Sequence, residues 1–253
     1  MVWTLAGYYE AQDGNGALHN IAAIPDQTLN IQGDAIRIPE GLDRLIGHAV
    51  LSAADVALID AILESPTLRK IFNINIGVLI NALVFGKPPE AMMHTMNPTP
   101  MSAEESLELL INSNADSSLG EYGLVWLGDG EQPPVKGLIH SIRATAAIAL
   151  VAGTWVNGGI TFSQKLPPGK FRIVGMRAQG TNLVASRIVV PGFAWRPGVA
   201  AVNVLGDEDL AIFRMGRMGV FAEFDQTVGF TIDCLGASDS AQDLIFDLIY
   251  LGP

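Results

Sequence analysis

Only one cysteine, Cys234, stands in 253 residues. No disulfide can form within the chain, which excludes a small disulfide-stapled secreted scaffold. Charge is also scarce: 16% of residues are Asp, Glu, Lys or Arg, where about 25% is usual. Basic groups are the scarcer kind, with 15 Lys+Arg against 26 Asp+Glu for a formal net charge of −11. So acidic a balance argues against a surface built to neutralise phosphates, and no direct nucleic-acid binding is expected. It equally excludes a polybasic membrane anchor. Long apolar runs are missing too. The longest, Ile71–Phe85, is broken by Asn73, Asn75 and Asn81 and falls short of the roughly 20 apolar residues that a bilayer span needs. It reads as a buried strand pair or core helix, and membrane contact is not predicted. The opening Met1–Gly14 has neither a basic segment nor a long apolar core, so no signal peptide is expected.

Chemical motifs are absent as well. His19, His48, His94 and His140 lie far apart in sequence, and no local His-x-His with a nearby Glu suggests a metal site. Cys234 has no CxxC partner, so neither zinc nor a redox pair is expected. There is no G-x-S-x-G elbow. Gly14-Asn-Gly16 and Gly128-Asp-Gly130 lack the Lys-Ser/Thr of a phosphate loop and read as turns. Asp207-Glu-Asp209 reads as a solvated turn, because three consecutive acids do not give the spaced ligands of a calcium loop. The expectation is therefore no catalytic residue, no metal, no cofactor and no enzyme.

What is present is apolar and strand-like. The hydrophobic share is 49%, joined by 27 Gly and 14 Pro, and the mean hydropathy is +0.32. Short β-rich runs are punctuated by Gly, Pro, Asn and Asp at spacings of roughly 8–12 residues, the signature of a sandwich or barrel. Val2–Tyr9, a hairpin of Thr28–Ile31 with Ala35–Ile38 around Gly33-Asp34, and Leu45–Leu51 lead the chain. One helix is expected near residues 53–64, capped by Ser52, with Val56, Leu58, Ile59, Ile62 and Leu63 at helical spacing and Ser65-Pro66 as its end. Lys87-Pro-Pro89 and Asn97-Pro-Thr-Pro100 bracket a loop with Met92, Met93, Met96 and Met101, adaptable filler in a loop or at a subunit contact. Ser102-Ala-Glu-Glu105 resembles a capping box. Leu107–Ile111 fits either period; it is assigned as a strand able to pair with Tyr122–Leu127.

Gly128–Pro134 is the best boundary, giving an N-terminal β-sandwich half over 1–133 and a C-terminal half over 134–253. In the second, strands are expected at Ile139–Ala144, Ala146–Ala152, Thr154–Gln164, Lys170–Gln179, Asn182–Val190, Val199–Leu205, Leu210–Arg214, Gly219–Phe224, Phe230–Leu235 and Asp243–Tyr250. Leu244, Phe246, Leu248 and Tyr250 share one face of the last strand. Asp247, between Ile245 and Ile249, lies on the other, so that face is partly covered too.

From Trp155 to Gly198 an apolar strand leads to Leu166-Pro-Pro-Gly169. Lys170-Phe-Arg-Ile-Val-Gly175 follows, then a strand pair, then Pro191-Gly192 and Trp195-Arg-Pro-Gly198. This pattern resembles the jelly-roll β-sandwich of icosahedral virus capsid subunits. The resemblance implies an all-β chain and a jelly roll, either a double one as in membrane-containing phages and their relatives or an elaborated single one. It implies a structural subunit that assembles with itself into a trimer or larger lattice, contacts other virion proteins, is built in the host cytoplasm and resides in the virion. Jelly rolls also serve lectins and cupins, so a carbohydrate-binding or host-recognition module stays open as the alternative.

Trp126 and Trp155 fall in strands and are expected in the core. Pro191–Gly198 is bounded by Pro-Gly pairs and leaves the regular sheet. Its Phe193, Trp195 and Arg196 are the expected assembly interface, with Trp195 covered by a neighbouring subunit.

Overall fold

The structure is a computed structural model that describes residues 2–11, 16–52, 58–71, 74–75, 78–79, 91–113, 120–130, 135–202 and 211–253. The strands of the first half are β1 (Trp3–Glu10), β2 (His19–Ala23), β3 (Ile31–Gln32), β4 (Ala35–Arg37), β5 (Arg44–Ser52), β6 (Leu58–Glu64), β7 (Ile74–Asn75), β8 (Val78–Leu79), β9 (Met92–Met93), β10 (Thr99–Pro100), β11 (Ser106–Ser113) and β12 (Glu121–Gly128), with helix α1 at Pro66–Ile71. The second half holds β13 (Ile139–Ala146), β14 (Val156–Gly158), β15 (Ile160–Phe162), β16 (Lys170–Gln179), β17 (Leu183–Val189), β18 (Gly198–Ala200), β19 (Ala222–Asp225), β20 (Thr231–Gly236) and β21 (Gln242–Gly252), with a 3₁₀ turn at Ala211–Phe213.

The chain is all-β, and strand order identifies the architecture. In the second half one sheet runs β15-β13-β21-β16-β19 and the other β14-β20-β17-β18. The last strand thus lies beside the first, and the next-to-last beside the second, as a β ribbon folded over itself requires: a jelly roll. The first half repeats the order. Its β10-β5-β12-β1 matches β19-β16-β21-β13, and its β2-β11-β6-β7 matches β14-β20-β17-β18. Among the described residues every strand pairing lies within 3–128 or within 139–252. In the first half β1 also pairs β2 at Tyr8↔Ala23 and Tyr9↔Ala22, so its two sheets run together.

Packing follows the pleat. Ala6, Tyr8, Val50, Val125, Ile21, Leu109 and Leu63 fill the first sandwich. The opposite face of the same sheet carries Trp3, Leu5, Ala49, Tyr122, Leu124 and Trp126, which join Ile188, Phe213, Phe221 and Leu235 of the second half in one continuous core. Trp3 meets Phe221 edge-on at 4.7 Å, and Trp126 stacks on Phe213 at 5.6 Å. Aromatic pairs of this geometry gain about 0.5–1.5 kcal/mol beyond area burial. A sheet covered on both faces explains the unbroken burial of β12.

Four expectations need correction. The helix expected near 53–64 is not formed at Leu58–Glu64, which is strand β6; residues 53–57 lie outside the described residues. The run satisfies both periods. Pairing with β11 from Glu108↔Glu64 to Ser113↔Leu58 selects period two, burying Ala61 and Leu63. Helix begins where it was expected to end, with Ser65 Oγ accepting from the Leu68 N–H at 3.1 Å and Pro66 in the first turn, where a missing N–H costs nothing. Second, β11 pairs β2, β4 and β6, whereas β12 pairs β1 and β5; the expected pairing of these two strands does not occur, because in a jelly roll they belong to opposite sheets. Third, the strand expected at Leu210–Arg214 does not form at residues 211–214, where Ala211–Phe213 is a 3₁₀ turn; Leu210 lies outside the described residues. Ala146–Ala152 likewise leaves the sheet after Ala146.

Other sequence signals have local causes. Gly33, at φ 62°, makes the β3–β4 hairpin. The Ser102–Glu105 box closes, with the Ser102 N–H donating to Glu105 Oε1 at 2.9 Å, but around a turn that leads into β11 rather than a helix. The Asp13–Gly16 turn lies outside the described residues except for Gly16, as does most of Ile71–Phe85, of which β7 pairs β6 and β8 pairs β5. No helix among the described residues is long and apolar enough to cross a membrane.

Candidate functional site

A buried polar cluster lies where the two halves meet. Strand β17 presents Arg187 toward the first half. Its side chain is 4% exposed, and its guanidinium binds two carboxylates: Asp233 Oδ2 on β20 at 2.9 Å, and Asp26 Oδ2 in the loop after β2. It also donates to the Leu5 carbonyl of β1 at 3.1 Å and lies 4.1 Å over the centre of the Trp155 ring. Five donors in a planar fork suit this arrangement, and lysine would not reproduce it. Each carboxylate has further partners. Asp26 Oδ1 accepts from the Thr28 N–H and Oγ1, both at 2.7 Å, and Asp233 Oδ1 accepts from Asn157 at 2.8 Å. Burial pushes the Asp26 carboxyl up, but Arg187 and the Thr28 bonds outweigh it and hold the group below its usual range.

The Pro191–Gly198 loop completes the junction. Val190-Pro-Gly-Phe193 is a tight turn with Gly192 at φ 79° and the Phe193 N–H on the Val190 carbonyl, as Pro-Gly at its centre favours. Arg196 then runs beside β1. The Leu5 N–H donates to its carbonyl at 2.9 Å, and its own N–H donates to Thr4 Oγ1 at 3.2 Å. Trp126 Nε1 donates to the Gly198 carbonyl at 2.9 Å. The loop therefore covers the edge of β1 that β2 does not reach, which would otherwise expose unpaired backbone groups.

Of the three residues expected at an assembly interface, Trp195 is half-buried against the core of the first sandwich. Phe193 packs against the shared core, and its carbonyl accepts from the Arg196 side chain at 2.7 Å. All three thus join the chain to itself. Trp126 is fully buried as expected. Trp155 is not plain core: with Asn157, Gln27, Thr28 and Arg196 it lines a cavity of about 300 Å³ beside Arg187. Sequence reasoning missed Arg187 and Asp26 because 161 residues separate them. The one available signal was an arginine inside Leu183–Val190, a run otherwise apolar but for Ser186.

A second charged cluster lies within the second half. Asp247, fully buried on β21, accepts from Arg214 at 2.6 and 2.8 Å, from Ser141 at 2.5 Å and from the Met215 N–H at 2.8 Å. Burial raises its pKa, but these partners hold it below the ordinary value. The expected covering of that face of β21 is thus the 211–218 loop.

The structure also joins two of the four scattered histidines. His48 on β5 is wholly buried, and its Nε2 lies 3.3 Å from Nε2 of His94, just after β9. Burial, and then the neighbouring imidazole, push the His48 pKa down to about 4. His19 instead meets Glu10 at 2.7 Å.

No family model and no curated protein matches the chain. A search of solved structures found the major capsid protein P2 from bacteriophage PM2, with 9% identity over 100% of this chain and 98% of that chain and a TM-score of 0.23. Likeness at that level carries no weight here, and function rests on the chain's own features.

Proposed function

We propose that the chain is a structural subunit of a viral capsid, working by self-association and not by catalysis. The observation that supports this reading is the recurrence of one jelly-roll order in both halves of a single chain. A lone jelly roll fits many functions. Two like sandwiches fused side by side make a block with internal pseudosymmetry, and three copies around an axis place six similar sandwiches in a ring able to tile a shell. The division into 1–133 and 134–253 belongs to this reading. Low charge and an excess of apolar residues fit a surface that neighbours cover. Leu138 and Val228 are 73% and 67% exposed on the second half. Its acidity keeps the subunit from gripping a genome directly, so partners are further copies and other virion proteins, in a virion assembled in the host cytoplasm.

Native mass measurement and electron microscopy of the purified protein test this. Trimers, hexagonal sheets or closed shells are expected; a lone 26.9 kDa species over a wide concentration range overturns it. The alternative, a glycan-binding module, has less support: the one aromatic ring in the junction cavity, Trp155, already carries Arg187 on its face. A glycan array gives no specific binding if the capsid reading holds.

A further inference from the structure

We propose that one end of the second half docks on the outer face of the β11–β6 strand pair of a second copy of the chain, with lysines meeting carboxylates around an apolar centre. The inference rests on the self-assembly reading and names the two surfaces that meet. Charge is divided unevenly along the chain. Residues 1–133 hold 5 Lys+Arg against 17 Asp+Glu, whereas residues 134–253 hold 10 against 9. One half is strongly acidic and the other nearly neutral, so a contact between unlike halves avoids the repulsion that two first halves would meet.

The projecting surface is built by register. Ile139 of β13 pairs Ile249 of β21, which places Leu138 beside Tyr250. Lys170, at the start of β16, pairs Gly252 on one side and Asp225 of β19 on the other. Leu138, Tyr250 and Leu251 therefore share one end of this sheet with the exposed Lys136 and Lys170, and Val228 stands in the turn after Asp225. Asp225 is the one acid in that group. The end is held in shape, because the Tyr250 hydroxyl donates to the Pro168 carbonyl at 2.9 Å and the Gln226 N–H to the Gly169 carbonyl at 3.0 Å. A surface already ordered loses little freedom on docking.

The receiving surface belongs to the first half. On the outward side of β11 and β6, Glu108 stands opposite Glu64, Leu110 opposite Ile62 and Asn112 opposite Asp60; their neighbours Leu109, Ile111, Ala61 and Leu63 turn into the sandwich. Like charges directly opposite each other destabilise a strand pair, and a lysine set over Glu64 and Glu108 relieves that repulsion. Leu110 and Ile62, half-buried between the carboxylates, give the apolar centre that Leu138 can cover. The second half of the same chain packs on the opposite sheet of this sandwich, through Trp3, Leu124 and Trp126. The acidic face thus points away from it, and docking needs another chain. Because the two patches differ, the contact runs head to tail, and repeated copies close a ring or extend a lattice.

The test is sedimentation of the full chain and its charge-reversed variants at neutral pH and low salt. Lys136→Glu with Lys170→Glu weakens self-association at least about 10-fold, and so does Glu64→Lys with Glu108→Lys. Both double variants keep a melting temperature near wild type. The fourfold variant carrying both reversals regains association, which repair of a folding defect would not produce. Added salt weakens association of the wild type as well. Association that neither double variant weakens, or a fourfold variant no stronger than the doubles, overturns the proposal and leaves self-assembly standing. A wild-type chain that never associates overturns the self-assembly reading and this contact with it.

Discussion

The two sandwiches share a strand order but not a surface. In the first half β12 is buried at every residue, and β1 over its first six. The strand that matches β1 in the second half, β13, alternates as far as Ala146, with Arg143 and Thr145 exposed between Ile142, Ala144 and Ala146. Sequence records the difference: Trp3–Tyr9 is apolar or aromatic but for Thr4 and Gly7, whereas Ile139–Ala146 alternates apolar with polar residues. A sheet covered on both faces loses its period-two signature, whereas one facing solvent keeps it. Most strands of the second jelly roll were therefore legible, those expected at Ala146–Ala152 and Leu210–Arg214 excepted, and the first was legible mainly as a series of apolar runs.

The sharpest way to break the comparison is to uncouple the halves. Arg187→Met leaves Asp26 and Asp233 buried without their cation, and breaking such a group costs about 3–5 kcal/mol. Urea unfolding should show that loss, and Arg214→Met should produce a separate loss confined to the second half. A loss from Arg187→Met below that from Arg214→Met would show that the junction is not what the arginine holds.

Gly153→Ala measures how close the halves lie. Gly153 adopts φ +67°, and an added Cβ would sit 2.1 Å from the Tyr9 ring. Gly33 has nearly the same φ, +62°, with nothing within 4 Å. Left-handed backbone alone costs a non-glycine about 1–2 kcal/mol, so both variants lose that much and the excess in Gly153→Ala reports the contact. Equal losses would mean that Tyr9 turns aside freely.

A smaller effect is expected at Trp195. Full burial of a large apolar side chain is worth about 1.5–3 kcal/mol, and Trp195 is half-buried. Trp195→Ala should lower the melting temperature of the isolated chain by a few degrees. An unchanged melting temperature with weakened assembly would instead show Trp195 to be the expected contact between subunits.

The mildest perturbation is acid. Asp26 and Asp247 have pKa values below their ordinary 3.8. Such groups contribute stability that is complete above the unfolded value and is lost as pH falls through the folded one. Thermal stability followed downward from pH 5 should therefore fall below about pH 4. Asp26→Asn and Asp247→Asn should each remove part of that slope, the first from the junction and the second from one sandwich.

What the sequence concealed shares a physical cause. Leu58–Glu64 satisfies helix and strand alike, and only the β11 partner, more than 40 residues on, selects between them. Trp155 sits in an apolar setting locally, yet its neighbour is an arginine 32 positions away, over its ring. His48 and His94 look solitary because 46 residues divide them. Local pattern finds strands and turns. Jelly-roll pairing joins distant segments, and the groups it joins are the buried charged and imidazole side chains.

Coverage of the β1 edge by the Pro191–Gly198 loop also bears on how the chain emerges during synthesis. Trp126 and its acceptor at Gly198 are 72 residues apart, about 4–15 s of elongation at ordinary rates. Throughout that interval the first sandwich has all its strands but lacks its lid, with Trp3, Leu5 and Trp126 turned to water beside an open strand edge. The nascent first half is thus a sticky intermediate, and an excised 1–130 fragment should aggregate where the full chain stays dispersed.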